Sequence, residues 1–540
     1  MRIATGIVGI LFLSMISICA QAAETDLFLT DSMGPQAGNA VVQLGEQKTT
    51  AAKLRATPGE YEPFTFTFRP RERLEEVFIK PAGPLVGPKG KIDAANVPVC
   101  GIEGWHGGDY DVLVPVGNAW DMPAWSRELF WVTVHVPADA APGTYNGEIV
   151  VTSKGRRVGA IAIRLEVLPF RLDEPPYALG FNYSSSKDPA KLAAHLRDMR
   201  EHGMTTVAPL YNFHLPVHDT DTSEIGEFIE AYKQAGFTKT LYLGAPMELM
   251  FSLAGYGTVD SSRFQQKYLN TMRLIFAETQ KHDVPVIFSI ADELTNRALP
   301  GIKFGEQLAR LCFEELPEIP TTSDMNGYLE VVTMAPYLNV ATFNNGWDGI
   351  DHHNKGRRLI NREFLEEVQK LGAIPWFVNA GEGRFPFGFF FWKMARVSRT
   401  GWQPVVNVGS TSGTGNQAVL PGVQGKVEWY YNLGNNEKGS VVKLEGNTIY
   451  PTLTYERSRE GIDDLKYVLK LESLVAEAKK AGRGESDAVR RGEALLKELG
   501  DSIIDNWTAY TDGGEAWPPA RYHAWRGRVI DAILGLAAQK

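Results

Sequence analysis

Cysteine is scarce in this chain: 540 residues hold three, at positions 19, 100 and 312. No pair of them has metal-ligand spacing, and Cys100 and Cys312 fall in different predicted domains, so neither a metal centre nor a disulfide between them is expected. The ten histidines are scattered. His352-His353 and His214/His218 are the close sets, and both lack a third ligand of suitable spacing. Basic residues are outnumbered, 55 Lys and Arg against 64 Asp and Glu, for a net charge of -9. That balance argues against nucleic acid or an anionic membrane as partner. There is no G-x-S-x-G elbow, which weakens an acyl-hydrolase reading. The 53 glycines include no phosphate loop of the P-loop form, so a nucleotide enzyme has no support. Beyond the N-terminus no apolar run is long enough to span a membrane. Internal repeats and low-complexity tracts are also missing.

What remains is 44% hydrophobic and 22% charged, a composition suited to a globular protein of two or three domains. Met1-Arg2, an apolar stretch over residues 3–18 and then Ala20-Gln21-Ala22 read as a secretory signal peptide over residues 1–22. The small-x-small pattern places cleavage after Ala22 or Ala23. Lipid attachment at Cys19 is disfavoured, because the bulky Ile18 precedes it. The expectation is export to the periplasm or the medium. Nothing in the sequence sets an oligomeric state.

Residues 24–172 look all-β. Glu62-Pro63-Phe64-Thr65-Phe66-Thr67-Phe68 alternates in period two, as do Phe130-Trp131-Val132-Thr133-Val134-His135-Val136 and Gly147-Glu148-Ile149-Val150-Val151. Short strands punctuated by turns such as residues 137–145 suggest a β-sandwich. After the Pro-rich exit at residues 168–176 the pattern becomes strand–helix alternation. Strands are expected at 178–182, 205–210, 240–244, 285–291, 320–323, 340–343, 374–379 and 403–408. Amphipathic stretches at 190–202, 224–236, 263–282, 303–316 and 362–372 lie between them. Eight strands over residues 177–464 match a (β/α)₈ TIM-type barrel. Residues 465–540 read as a helical appendage, with helices at 465–481, 486–499 and 522–536.

The run Val284-Pro285-Val286-Ile287-Phe288-Ser289-Ile290-Ala291 has the look of a buried parallel strand, and it ends in Asp292-Glu293. Barrel enzymes keep their chemistry at that end of their strands. Neighbouring carboxylates repel, so one can hold its proton near neutrality while the other stays ionised. Glycosidic cleavage needs that division of labour. An Asp-Glu pair opening the next helix would also suit the helix dipole. Further polar and aromatic groups fall at strand ends: Asn182 and Tyr183, Tyr211, Asn344 and Asn345 with Trp347, then Trp376, Asn379, Glu382 and Arg384. Aromatic faces stack on sugars while amides, Arg and acids bond hydroxyls. Trp376 could equally be core. The apolar segment Gly388-Phe389-Phe390-Phe391-Trp392-Lys393 reads as a buried helix or a substrate wall, with core favoured.

Several segments resemble glycoside hydrolase family 123 and its wider relatives. They are Gly59-Glu60-Tyr61-Glu62-Pro63, Leu129 to Pro137 with Pro142-Gly143-Thr144-Tyr145-Asn146-Gly147, Ala291-Asp292-Glu293, and Tyr455-Glu456-Arg457-Ser458-Arg459-Glu460-Gly461-Ile462-Asp463-Asp464-Leu465-Lys466-Tyr467. The resemblance implies a retaining β-N-acetylgalactosaminidase with no metal or organic cofactor, acting on a glycan or glycoconjugate. In such an enzyme the substrate's own 2-acetamido oxygen attacks the anomeric carbon. Glu293 would be the general acid and then base, and Asp292 would stabilise the acetamido group. Two other readings stay open. Glu382 could be a carboxylate nucleophile about 5–5.5 Å from Glu293, acting on a sugar without an acetamido group. The chain could also bind glycans without cleaving them.

Overall fold

The structure, a computed structural model, describes residues 25–30, 50–104, 111–183, 186–209, 213–346, 358–380, 383–397, 407–409, 428–433, 438–443, 449–511 and 517–538. The expected signal peptide and Cys19 lie outside the described residues. Among those described, no helix is long and apolar enough to cross a membrane, and Cys100 and Cys312 are free thiols.

The first part of the chain forms two sheets. One runs Thr25–Thr30, Tyr61–Pro70, Glu128–His135, Val99–Gly104, Asp111–Pro115. The other runs Ala51–Ala56, Arg156–Val167, Gly143–Ser153, Leu74–Pro81, Trp120–Met122. Alternation drives them together: in Arg156–Val167 the side chains of Ile161, Ile163, Leu165 and Val167 are buried, while Arg164 and Glu166 point out. Phe66, Phe68, Val132 and Val134 of the first sheet share one apolar core with Leu54, Ile149 and Ile163 of the second. The hairpin between Gly143–Ser153 and Arg156–Val167 turns at Lys154 and Gly155, both at positive φ (48° and 72°), the backbone that a two-residue turn matched to strand twist requires.

The central part is built on eight parallel strands: β1 Gly180–Tyr183, β2 Ala208–Pro209, β3 Leu241–Leu243, β4 Val286–Asp292, β5 Thr321–Met325, β6 Val340–Phe343, β7 Ile374–Val378 and β8 Asn407–Gly409. Their order in the sheet is β2-β1-β8-β7-β6-β5-β4-β3. The two terminal strands meet through Gly244 N–H, which donates to the Pro209 carbonyl at 3.2 Å. Helices such as Pro189–Glu201, Ser223–Gln234 and Ser262–Thr279 follow the strands.

Beyond β8 the structure departs from the sequence expectation in two ways. A three-stranded antiparallel sheet (Glu428–Leu433, Lys438–Lys443, Ile449–Pro451) precedes the helices. The first helix is Leu453–Lys480, starting twelve residues before the expected position 465. Thr452 caps it by accepting from Tyr455 N–H at 3.3 Å. Its first turns are rich in charge, so they carry no apolar stripe to read, yet Glu456, Arg459, Glu460 and Asp464 are all buried.

These charges are neutralised by a junction of three parts of the fold. Arg526, on Pro519–Ala537, donates to Glu62 (3.1 Å), Glu460 (2.7 Å) and Asp464 (2.6 Å). Arg384 donates to both oxygens of Asp464 at 2.6 and 3.0 Å. Gly461 has no room for a Cβ against the Arg384 carbonyl, which lets the Leu453–Lys480 helix approach that backbone closely. Glu60 accepts from Thr57 N–H (2.6 Å) and the Tyr467 hydroxyl (2.7 Å).

Burial, and after it the charge of Asp463, pushes Glu60 up from 4.5 to about 7. The folded protein therefore holds a proton there that the unfolded chain releases, and stability falls as pH rises through that window. The expected result is that Glu60→Gln flattens the decline in melting temperature between about pH 4.5 and 7; an unchanged slope would remove Glu60 as its source.

Candidate active site

β4 is buried along its length until Asp292, where the chain reaches the C-terminal rim of the parallel sheet. Asp292 stands beside Asp324 of β5 in the strand register. Glu293 then turns out of the sheet in the left-handed region (φ 45°, ψ 49°), a conformation that costs a non-glycine residue on the order of 1 kcal/mol or more. Three sets of bonds hold it there. Glu293 N–H donates to the Asp324 carbonyl at 2.7 Å, and Asn296 N–H donates to the Glu293 carbonyl at 3.0 Å. Glu330, wholly buried on Tyr328–Met334, accepts from Leu294 N–H (2.7 Å), the Thr295 hydroxyl (2.7 Å) and Asn326 N–H (3.2 Å). Burial pushes the Glu330 carboxyl up to about 7.

The Glu293 carboxyl faces two amides. Asn344 Nδ2 donates to Oε1 at 3.0 Å and Asn296 Nδ2 to Oε2 at 3.1 Å. Burial first, then the charge of Asp292, raises its pKa above the ordinary glutamate value; the two amides pull the other way. Beneath the pair, the Tyr242 hydroxyl donates to Asp324 Oδ1 at 2.6 Å. Burial, followed by Asp292, holds Asp324 well above the usual carboxylate range. The rim thus carries Glu293, raised above its ordinary value, next to Asp292, with a second raised acid, Asp324, on the neighbouring strand. Such a set can protonate a leaving oxygen while keeping one anion near developing positive charge.

The other expected residues divide. Asn182 is the third residue of β1 and is 6% exposed. Asn379 follows β7 at φ 52°, with Oδ1 buried and unbonded among the described residues. Trp376 packs inside the sheet with Tyr242, Ile287 and Val340. At three other expected positions the side chain has partners within the fold. The Tyr183 hydroxyl is committed to His195 Nδ1 at 2.9 Å within the core. The Asn345 amide ties Thr508 (3.2 Å) and Ile360 N–H (3.0 Å) together. Arg384 is 1% exposed, paired with Asp464 and set over the Tyr522 ring, with its Nη1 buried and unbonded among the described residues. Tyr211, Trp347 and Glu382 lie outside the described residues, as do His352 and His353. The Phe389–Val397 helix is core, with Phe389 and Phe390 packed on Trp517 and Trp507. Among the described residues no group of His, Cys, Asp or Glu is arranged to hold a metal.

Sequence reasoning missed Asp324, Tyr242 and Glu330. Asp324 had a signal, since it sits where the fifth expected strand ends, as Asp292 does in the fourth. Tyr242 looked like an ordinary strand aromatic, and Glu330 belongs to a helix too short for periodicity to show.

No family model matches the chain, and no curated protein matches it. Solved structures do. One solved glycoside hydrolase has a similar overall fold. The chain is similar to a family 123 glycoside hydrolase from Clostridium perfringens, described for glycolipid glycan hydrolysis, at TM-score 0.62 and 12% identity over 95% of this chain and 98% of that one. Weaker likenesses include a family 39 glycoside hydrolase from Bacteroides cellulosilyticus WH2 (TM-score 0.35, 11% identity, 76% and 82% covered). A β-D-glucuronidase from Dictyoglomus thermophilum gives TM-score 0.33 at 11% identity, with 82% and 68% covered. Only the first bears on the architecture.

Proposed function

We propose that this chain is an exported, retaining β-N-acetylgalactosaminidase that works by substrate assistance, with an N-terminal β-sandwich bracing a closed (β/α)₈ barrel. The observation that carries the reading is the Asp292-Glu293 pair at the sheet's C-terminal rim, with Glu293 raised by burial and by Asp292 and gripped by two amides. The likeness to a glycolipid-glycan hydrolase supports that architecture and brings the substrate class into view.

In the first step the substrate's acetamido oxygen bonds to the anomeric carbon as the bond to the leaving oxygen breaks. Glu293 gives its proton to that oxygen, and the sugar becomes an oxazolinium ion. Asp292, anionic beside the acetamido N–H, offsets the positive charge that forms there. In the second step Glu293, now a carboxylate, takes a proton from water, whose oxygen attacks the anomeric carbon and reopens the ring. Two inversions give net retention.

The test is hydrolysis of an aryl β-N-acetylgalactosaminide beside the matching β-galactoside, with and without a thiazoline that mimics the oxazoline. Cleavage of the acetamido sugar alone, blocked by the thiazoline, is the expected result. Cleavage of the plain galactoside would shift the mechanism to a protein nucleophile.

A further inference from the structure

We infer that Asn344 is a positioning residue for the general acid: its amide fixes Glu293 Oε1 as the accepting oxygen, leaving Oε2 to carry the proton to the leaving group. The inference rests on Glu293 being the acid and holds whichever sugar is cleaved. Asn344 follows β6 and is 3% exposed, and its N–H donates to the Met325 carbonyl at 3.0 Å. Its amide orientation is set by chemistry. Gly346 N–H, which can only donate, lies 2.8 Å from Asn344 Oδ1, so the opposite atom must be the NH₂ that meets Glu293 Oε1.

The second amide differs. Asn296 is exposed at the mouth, and its Oδ1 accepts from Asn326 Nδ2 at 3.0 Å. It supports Oε2 but can give way when a leaving oxygen arrives. A carboxylic acid accepts best at its carbonyl oxygen, so a fixed donor on Oε1 leaves the hydroxyl on Oε2, the side of the exposed Asn296. The same donor favours the carboxylate, which eases proton release and restrains the upward push from burial and from Asp292.

Asn344→Leu removes the donor at similar size. The expected loss in kcat/KM is about 10- to 100-fold on a phenyl N-acetylgalactosaminide, whose leaving group needs a proton, and far smaller on the dinitrophenyl analogue, which leaves without one. The basic limb of the kcat/KM profile should also move to higher pH, because the acid keeps its proton longer. Equal losses on both substrates, or an unmoved limb, would reduce Asn344 to a structural role and overturn the inference. Should that variant fail to fold, Asn344→Ser, which also takes the amide away from Oε1, is read by the same two signatures. If Glu293→Gln itself shows no dependence on the leaving group, the functional reading fails instead, and the two failures are told apart.

Discussion

Glu293→Gln should lower kcat/KM on a phenyl N-acetylgalactosaminide by about 100- to 10,000-fold, the range that a positioned general acid contributes. The substitution keeps shape and the left-handed backbone while removing the proton that the leaving oxygen needs. It also removes a potential negative charge next to Asp292, so the melting temperature should hold or rise. The loss should shrink on a dinitrophenyl glycoside in the first step, where no proton is required. Asp292→Asn should give a loss of about 100- to 1,000-fold that does not shrink with a better leaving group, because charge at the acetamido group develops in either case. An unaffected rate in Glu293→Gln would remove the acid from the account.

The second large effect concerns the junction. Arg526→Met should destabilise the protein by about 3–5 kcal/mol, the cost of breaking a buried ion pair from one side. Arg526 is 5% exposed and joins Glu62 of the first domain to Glu460 and Asp464 of the Leu453–Lys480 helix. Without it these carboxylates face one another with Arg384 and Arg459 as neighbouring cations among the described residues. They would then bind protons more tightly in the folded state than in the unfolded one. The sign follows: folded pKa values raised above unfolded ones mean stability is lost as pH rises, so the deficit should be larger at pH 8 than at pH 5. Denaturant titration of the wild type and variant at both pH values measures it. A deficit below about 1 kcal/mol, the scale of an exposed pair, would contradict a load shared across the junction.

How much of this was legible in the sequence depends on which force writes the pattern. The eight parallel strands were, since burial on both faces demands apolar runs, and β6 begins and ends where the expected 340–343 strand does. The place of Asp292-Glu293 at the end of the fourth strand was legible for the same reason. The start of Leu453–Lys480 was not, because its face is written in charges whose partners, Glu62 and Arg526, lie hundreds of residues away. The pairing of Arg384 was hidden for that reason too. A buried arginine and a sugar-binding one look alike until the counter-ion is placed. Asn344 was marked from its strand end, but its role in gripping Glu293 rests on a hydrogen bond between β4 and β6 that spacing alone does not encode.

The most direct test of the central claim is the rate on aryl galactosaminides bearing N-acetyl, N-fluoroacetyl, N-difluoroacetyl and N-trifluoroacetyl groups. Each fluorine drains electron density from the carbonyl oxygen proposed as nucleophile. With the acetamido oxygen as nucleophile, kcat/KM falls steeply along the series, in step with the loss of nucleophilicity. A flat series would mean that the acetamido group does not attack, and that the anomeric carbon is met by a group of the protein or by water.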